Sequence, residues 1–178
     1  MVYNLVDYRA YKYAVDELRA RAIKLEDFTA NLKQDLDLRS LRGQARAELQ
    51  GLYDNLNDDL GLPRLPVYFP VRKKIYVSGA ACHTDGVPSE IRIYSIKGCS
   101  NKPYNRWTPK DIRAYTETEL FETFIHESAH VLEAIRTGCM GHGRPFIKAY
   151  GNIEEYFLNR GLENLIDSKI RLTGVARA

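Results

Sequence analysis

A chain of 178 residues with 44% hydrophobic and 28% charged side chains can bury a core of its own, and this make-up excludes disordered and fibrous classes. No apolar run reaches the roughly 18 residues of a membrane helix, and Asp7, Arg9, Lys12, Asp16 and Glu17 interrupt the start where a secretory signal needs an apolar stretch, so no membrane partner and a cytoplasmic location are expected. The net charge of +3 is uneven: residues 1–66 hold 10 Lys/Arg and 11 Asp/Glu, residues 67–116 hold 9 and 3, and residues 117–178 hold 7 and 9, which makes the middle basic.

The N-terminal sixty residues predict helix. Leu18, Ala22 and Leu25, then Phe28, Leu32 and Leu36, then Leu49, Leu52, Tyr53 and Leu56 recur at the spacing of one helical face. Asp27 is a candidate start for a second helix, and Gly43 a candidate interruption. The charged faces mix both signs, as a solvated surface does, so the apolar stripes are expected to pack against the rest of the chain. Three prolines in "GLPRLPVYFP" (61–70) end this part and divide the chain into a helical extension, residues 1–62, and a second part, residues 63–178.

A strand is expected around Lys74 to Ser78, where Ile75, Tyr76 and Val77 favour extended backbone and Pro70 limits the start. "GAACHTDGVPS" (79–89) reads as a turn or irregular loop, and the alternation from Glu90 to Ile96 as a sheet strand. Residues 97–115 form a polar, basic connection. Thr116 opens the clearest helix: Thr116 and Glu119 have the spacing of a capping box, Leu120, Phe121, Phe124, Ile125, Val131, Leu132 and Ile135 supply the apolar stripe, and Gly138 closes it. Pro145 suits the first position of a further helix, and Ile153 to Ser168 continues helical, with Gly151 as a candidate break. Helices around a small sheet make the expected class α+β.

Three of the four histidines fall within "IHESAHVLEAIRTGCMGHGRPF" (125–146). On a helix, His126 and His130 project from one face and can offer two imidazole nitrogens to one ion. Glu127 is rotated about 100° from His126, beside the metal rather than on it, where a carboxylate can take a proton from activated water. A catalytic zinc ion commonly has three protein ligands, and two sources stand for the third. One is His142, with Gly141 and Gly143 allowing the dihedrals that turn its ring back toward the helix; the other is Glu154 or Glu155 on the next helix, a gluzincin-type arrangement.

"ETFIHESAHVLEAIRTGCMGHGRPF" resembles the SprT-like (Spartan-type) zinc metalloproteases, in which an HExxH helix is followed by a short loop, an HG or GHG turn and an aromatic residue, here Gly141-His142-Gly143 and Phe146. "SGAACHTDGVPSEIRIYSI" is similar to the small-residue strand, loop and strand before that family's helix. The resemblance covers residues 67–150 and implies a zincin-like catalytic domain over 63–178, with zinc held by His126, His130 and His142 and Glu127 as general base. It also implies a protein or peptide substrate extended along the preceding strand, and a link to DNA-associated proteins. The chain departs from the family in having no cysteine after Cys139, where many members carry a cysteine zinc ribbon.

Outside this cluster, Lys97, Lys102, Arg106, Lys110 and Arg113 alternate with Tyr104, Trp107 and Tyr115, a composition suited to DNA contact through segment 97–113, although a solvated loop has the same composition. His83 is either an ordinary loop histidine or a replacement ligand or oxyanion donor; Arg144 and Tyr150 are further candidates to face a cleft. Cys82, Cys99 and Cys139 are too widely spaced for a cysteine-built zinc site and argue against a disulfide framework. The competing class is a non-proteolytic DNA- or protein-binding module, antirestriction or regulatory, with structural zinc.

Overall fold

Tyr8, Tyr11, Val15 and Leu18 recur at helical spacing and bury the inner face of α1 (Val6–Arg21), so the first element is held by packing along one stripe. The computed structural model describes residues 5–71 and 78–162. α2 (Leu25–Gln34) begins two residues before Asp27, which sits in its first turn where an acidic side chain favours the helix N-terminus. Asp35 then caps α3 (Leu36–Leu60), its side chain accepting from the amides of Asp37 at 3.0 Å and Leu38 at 3.2 Å.

Gly43 does not interrupt α3. Gly43 and Gly51 both lie on its solvent face, while Ala45, Leu49, Leu52, Tyr53 and Leu56 are buried, and this packing outweighs a propensity cost of about 1 kcal/mol per glycine. Gly61, left-handed at φ 69°, ends the helix.

A three-stranded sheet follows, in the order β1 (Val67–Tyr68), β3 (Val87–Ile93), β2 (Gly79–Thr84). β1 runs parallel to β3, and β2 pairs with β3 as an antiparallel hairpin. Residues 79–84, expected as a loop, are therefore a strand. The two residues between the strands, Asp85 and Gly86, have φ of 53° and 79°, the paired positive values of a two-residue hairpin turn; Asp-Gly is the sequence signal for it. β3 starts three residues earlier than Glu90 because this turn fixes its register. Residues 74–77 of the strand expected around Lys74 to Ser78 lie outside the described residues, and Ser78 is in a bend.

A second, two-stranded sheet pairs β4 (Lys97–Gly98) with β5 (Ile112–Arg113), with 3-10 turns at Tyr104–Arg106 and Pro109–Asp111 between them. α4 (Glu117–Thr137) packs across β2 and β3, and α5 (Arg144–Leu158) runs beside α4. α5 passes Gly151 without a break but ends at Leu158, earlier than expected, with residues 159–161 in a turn and Gly161 at φ 76°; residues 163–168 of the expected helix lie outside the described residues. The architecture is α+β, with the sheet and α4 at its centre.

The N-terminal helices share that centre. Their buried side chains join those of the strands and of α4 and α5 in one contiguous core. Tyr8 donates from its hydroxyl to the Tyr115 carbonyl at 2.6 Å, and Arg46 and Gln50 of α3 satisfy the carbonyl and amide of Val67 at 2.7 Å each. Among the described residues, no helix is long and apolar enough to cross a membrane.

Candidate metal centre

The site rests on α4, whose ends are set by sequence. Thr116 Oγ1 accepts from the Glu119 amide at 3.1 Å while Glu119 accepts from the Thr116 amide at 3.0 Å, the reciprocal capping box. The same Glu119 carboxylate takes two 2.7 Å bonds from Arg113 and one of 2.9 Å from Lys97, which ties the small sheet to the start of the helix. Leu120, Phe121, Phe124, Ile125, Val131 and Leu132 are buried, so the helix is fixed in rotation as well as in length.

With that rotation fixed, His126 and His130 stand on one face, and their Nε2 atoms are 3.1 Å apart. His142 comes from the loop after the helix and places its Nε2 3.2 Å from that of His126. The ligand atoms of the three residues all lie within 4.8 Å of one another. Nitrogens bound tetrahedrally at about 2.0–2.1 Å would be separated by roughly 3.3 Å, close to the spacing seen. One proton cannot satisfy three converging lone pairs, whereas a cation between them can. The histidines thus fit a metal ion by donor type and by spacing. Among the described residues neither Glu154 nor Glu155 belongs to the cluster.

Burial, reinforced by the neighbouring rings of His130 and His142, pushes the His126 imidazole down to about 4. His130 moves in the same direction for the same leading reason. Both are held in the neutral form that can coordinate. Phe146, one turn into α5, lies 4.4 Å from the His130 ring and 4.9 Å from each of the other two, centroid to centroid, and makes an apolar wall against the cluster.

The loop that delivers His142 corrects one expectation. Neither Gly141 nor Gly143 has a positive φ, and Gly143 is extended at φ −82° and ψ −168°. The reversal is made earlier, by Gly138 at φ 71°, and is braced by Thr137, whose hydroxyl donates to the Glu133 carbonyl at 2.9 Å and accepts from the Cys139 amide at 3.2 Å. Glu133 completes the brace: its Oε2 accepts from the Gly141 amide at 3.0 Å and lies 3.6 Å from His130 Nδ1. The sequence reading passed over Glu133. Its position one turn after His130 was the only signal there, and acids at that spacing are common on helices.

Glu127 is 6% exposed and faces β2, where Gly79 lies directly against its side chain. Burial raises its carboxyl to about 7, opposed only by the amide of Ala81. The group beside the three histidines is thus a carboxyl able to hold or release a proton near neutrality. Period-two alternation along β2 places His83 on the same face as Gly79, the side of α4. Its Nδ1 lies 3.2 Å from the Ala81 carbonyl, and it is outside the ligand cluster.

The basic segment divides between paired and exposed cations. Lys97 and Arg113 pair with Glu119, and Lys102 with Asp111 at 3.2 Å. Trp107 is buried with its indole N–H on the Lys102 carbonyl at 2.7 Å, and Tyr115 is buried as well. Lys102, although paired, is exposed, as are Arg106 and Lys110. Arg144 is exposed at the start of α5, and Tyr150, half-buried, lies 6.1 Å from Phe146 between ring centroids. All three cysteines are free. No protein-family model, curated protein or solved structure matches the chain.

Proposed function

We propose that this chain is a zinc metallopeptidase of the SprT-like, zincin type, cleaving peptide bonds in a protein or peptide substrate with water as nucleophile. The observation that carries this reading is the convergence of three imidazole Nε2 atoms beside a buried glutamate. Three converging imidazole nitrogens, two of them at 3.1 and 3.2 Å from the third, suit zinc, for which three protein ligands and an open fourth position are usual in catalytic sites. His126, His130 and His142 would hold the ion, which would supply Lewis acidity toward water and toward a substrate carbonyl.

The remaining work belongs to the chain. Glu127 takes the proton of the attacking water and returns it to the leaving amide nitrogen. Its contact with Gly79 and the amide of Ala81 keeps the carboxylate pointed in one direction through this transfer. β2, at the edge of the described sheet, offers backbone groups to an extended peptide. Phe146 keeps bulk water from one side of the histidines. A substrate associated with DNA would meet the chain through Lys102, Arg106 and Lys110, the exposed cations of segment 97–113.

The test is zinc-dependent cleavage of casein, with and without single-stranded DNA, by wild type, Glu127→Gln and His142→Ala. Wild type should carry about one zinc per chain; Glu127→Gln should keep it and lose roughly 10²- to 10⁴-fold in rate; His142→Ala should lose the metal. Equal cleavage by wild type and a zinc-loaded Glu127→Gln would remove Glu127 as the base, and no cleavage by zinc-loaded wild type would leave a non-catalytic zinc module instead.

A further inference from the structure

Coordination through Nε2 leaves the proton of each imidazole on Nδ1, and that N–H needs an acceptor to hold the ring in one orientation. His130 is 8% exposed, and its Nδ1 has no partner at hydrogen-bond distance. The acceptor facing it is Glu133 Oε2, 3.6 Å away, and that same oxygen accepts from the amide of Gly141 at 3.0 Å. One carboxylate oxygen therefore sits between the ring of a helix ligand and the loop residue that precedes His142.

Holding the loop does not by itself account for an acid here. Gly138 and Thr137 already make the turn, and a single backbone amide could be satisfied by a neutral side chain. Glu133 is 4% exposed, and a carboxylate is costly to bury unless it meets donors that need it. The His130 ring supplies the second donor once its Nε2 is committed.

We infer that Glu133 is a positioning residue of the metal centre, fixing the tautomer and ring orientation of His130 while anchoring the loop that carries His142. The inference rests on the metal-centre reading above. It makes the second and third ligands one mechanical unit: the loop is already anchored on Glu133, and the His130 ring closes on the same oxygen when its Nε2 is committed.

Two variants test it. Glu133→Ala removes the acceptor altogether. Glu133→Gln keeps an oxygen for the Gly141 amide but is a weaker acceptor for the ring. Zinc affinity, measured by competition with a chelator, should fall about 10- to 100-fold in Glu133→Ala and by a smaller factor in Glu133→Gln. The visible absorption of the cobalt(II)-substituted Glu133→Gln protein should differ from that of wild type, a change that a staple for the loop alone would not produce. In the metal-free protein, exchange of the Gly141 amide should be faster in Glu133→Ala and near that of wild type in Glu133→Gln.

A Glu133→Gln protein with the zinc affinity and cobalt spectrum of wild type overturns the proposal, and this variant decides the matter if Glu133→Ala does not fold. Wild type that takes up no zinc would instead remove the metal-centre reading. The hold on the loop is then judged by Gly141 exchange alone, and unchanged exchange in Glu133→Ala overturns that as well.

Discussion

A methyl group built on Gly79 would sit 2.7 Å from Glu127 Cγ, 2.8 Å from its Oε1 and 3.0 Å from the carbonyl oxygen of Arg92. The backbone oxygen cannot yield without disturbing the β2–β3 hairpin, so the glutamate must move. Under the proposed function, Gly79→Ala should therefore lower cleavage roughly 10- to 100-fold while leaving zinc content unchanged, because the displaced group is the proposed base and not a proposed ligand. Full activity in that variant would mean that the position of Glu127 against β2 is not used. The histidine cluster and the glutamate beside it were legible because HExxH encodes a shared helix face within five residues, and the GHG turn lies close behind. Gly79 and Glu133 were not, because their roles exist only after β2 is laid against α4 and the loop has folded back. The glycines around His142 were read as conformational devices, whereas the turn is built by Gly138, Thr137 and Glu133.

Among the elements, α4 was the most legible, since its capping box, its apolar stripe and its closing glycine agree with one another. β2 was the least. Its residues, Gly79 to Thr84, are small or polar, Gly79 lying directly against the Glu127 side chain of α4, and small residues in sequence resemble a loop. The start of α4 also sets a stability prediction. The hydrogen bonds from Arg113, then the Thr116 amide and Lys97, hold the Glu119 carboxyl well below the usual carboxylate range. Glu119→Gln keeps the shape but weakens the bonds to Arg113 and Lys97, and should cost about 2 kcal/mol, or roughly 4–8 °C in melting temperature. Its folded-state value is depressed, so the contribution is fully present above the ordinary value of 4.5 and is lost as pH falls below it. The stability gap between wild type and Glu119→Gln, read by thermal melts, should be widest at neutral pH and narrow on acidification below about 4.5. A gap that stays constant to pH 3 would show that the pairing with Arg113 and Lys97 does not carry it.

At the scale of the whole molecule, the question is whether residues 1–62 are an attachment or part of the fold. The apolar stripes of the sequence show that these helices pack, but not on what, because a stripe carries no address. In the structure they pack on the sheet that supports the site. The rings of Tyr8 and Tyr11 lie 6.0 and 5.5 Å from Phe69, the Tyr8 hydroxyl ends on the residue before the α4 cap, and the Val67 backbone is satisfied by α3. At the far end of α3, the Tyr156 hydroxyl of α5 donates to the Asn55 carbonyl at 3.1 Å. Removing residues 1–62 would expose Val67, Phe69 and Tyr115, each now buried. At about 1.5–3 kcal/mol per large apolar side chain, that is comparable to the whole stability of a typical domain, about 5–15 kcal/mol. It would also leave the amide and carbonyl of Val67 without partners. A chain of residues 63–178 should therefore lack a cooperative thermal transition, bind a hydrophobic dye such as ANS and take up zinc weakly, even though every proposed ligand is present in it. A sharp melt with stoichiometric zinc in the shortened chain would instead make the helices detachable and leave them free to regulate the cleft.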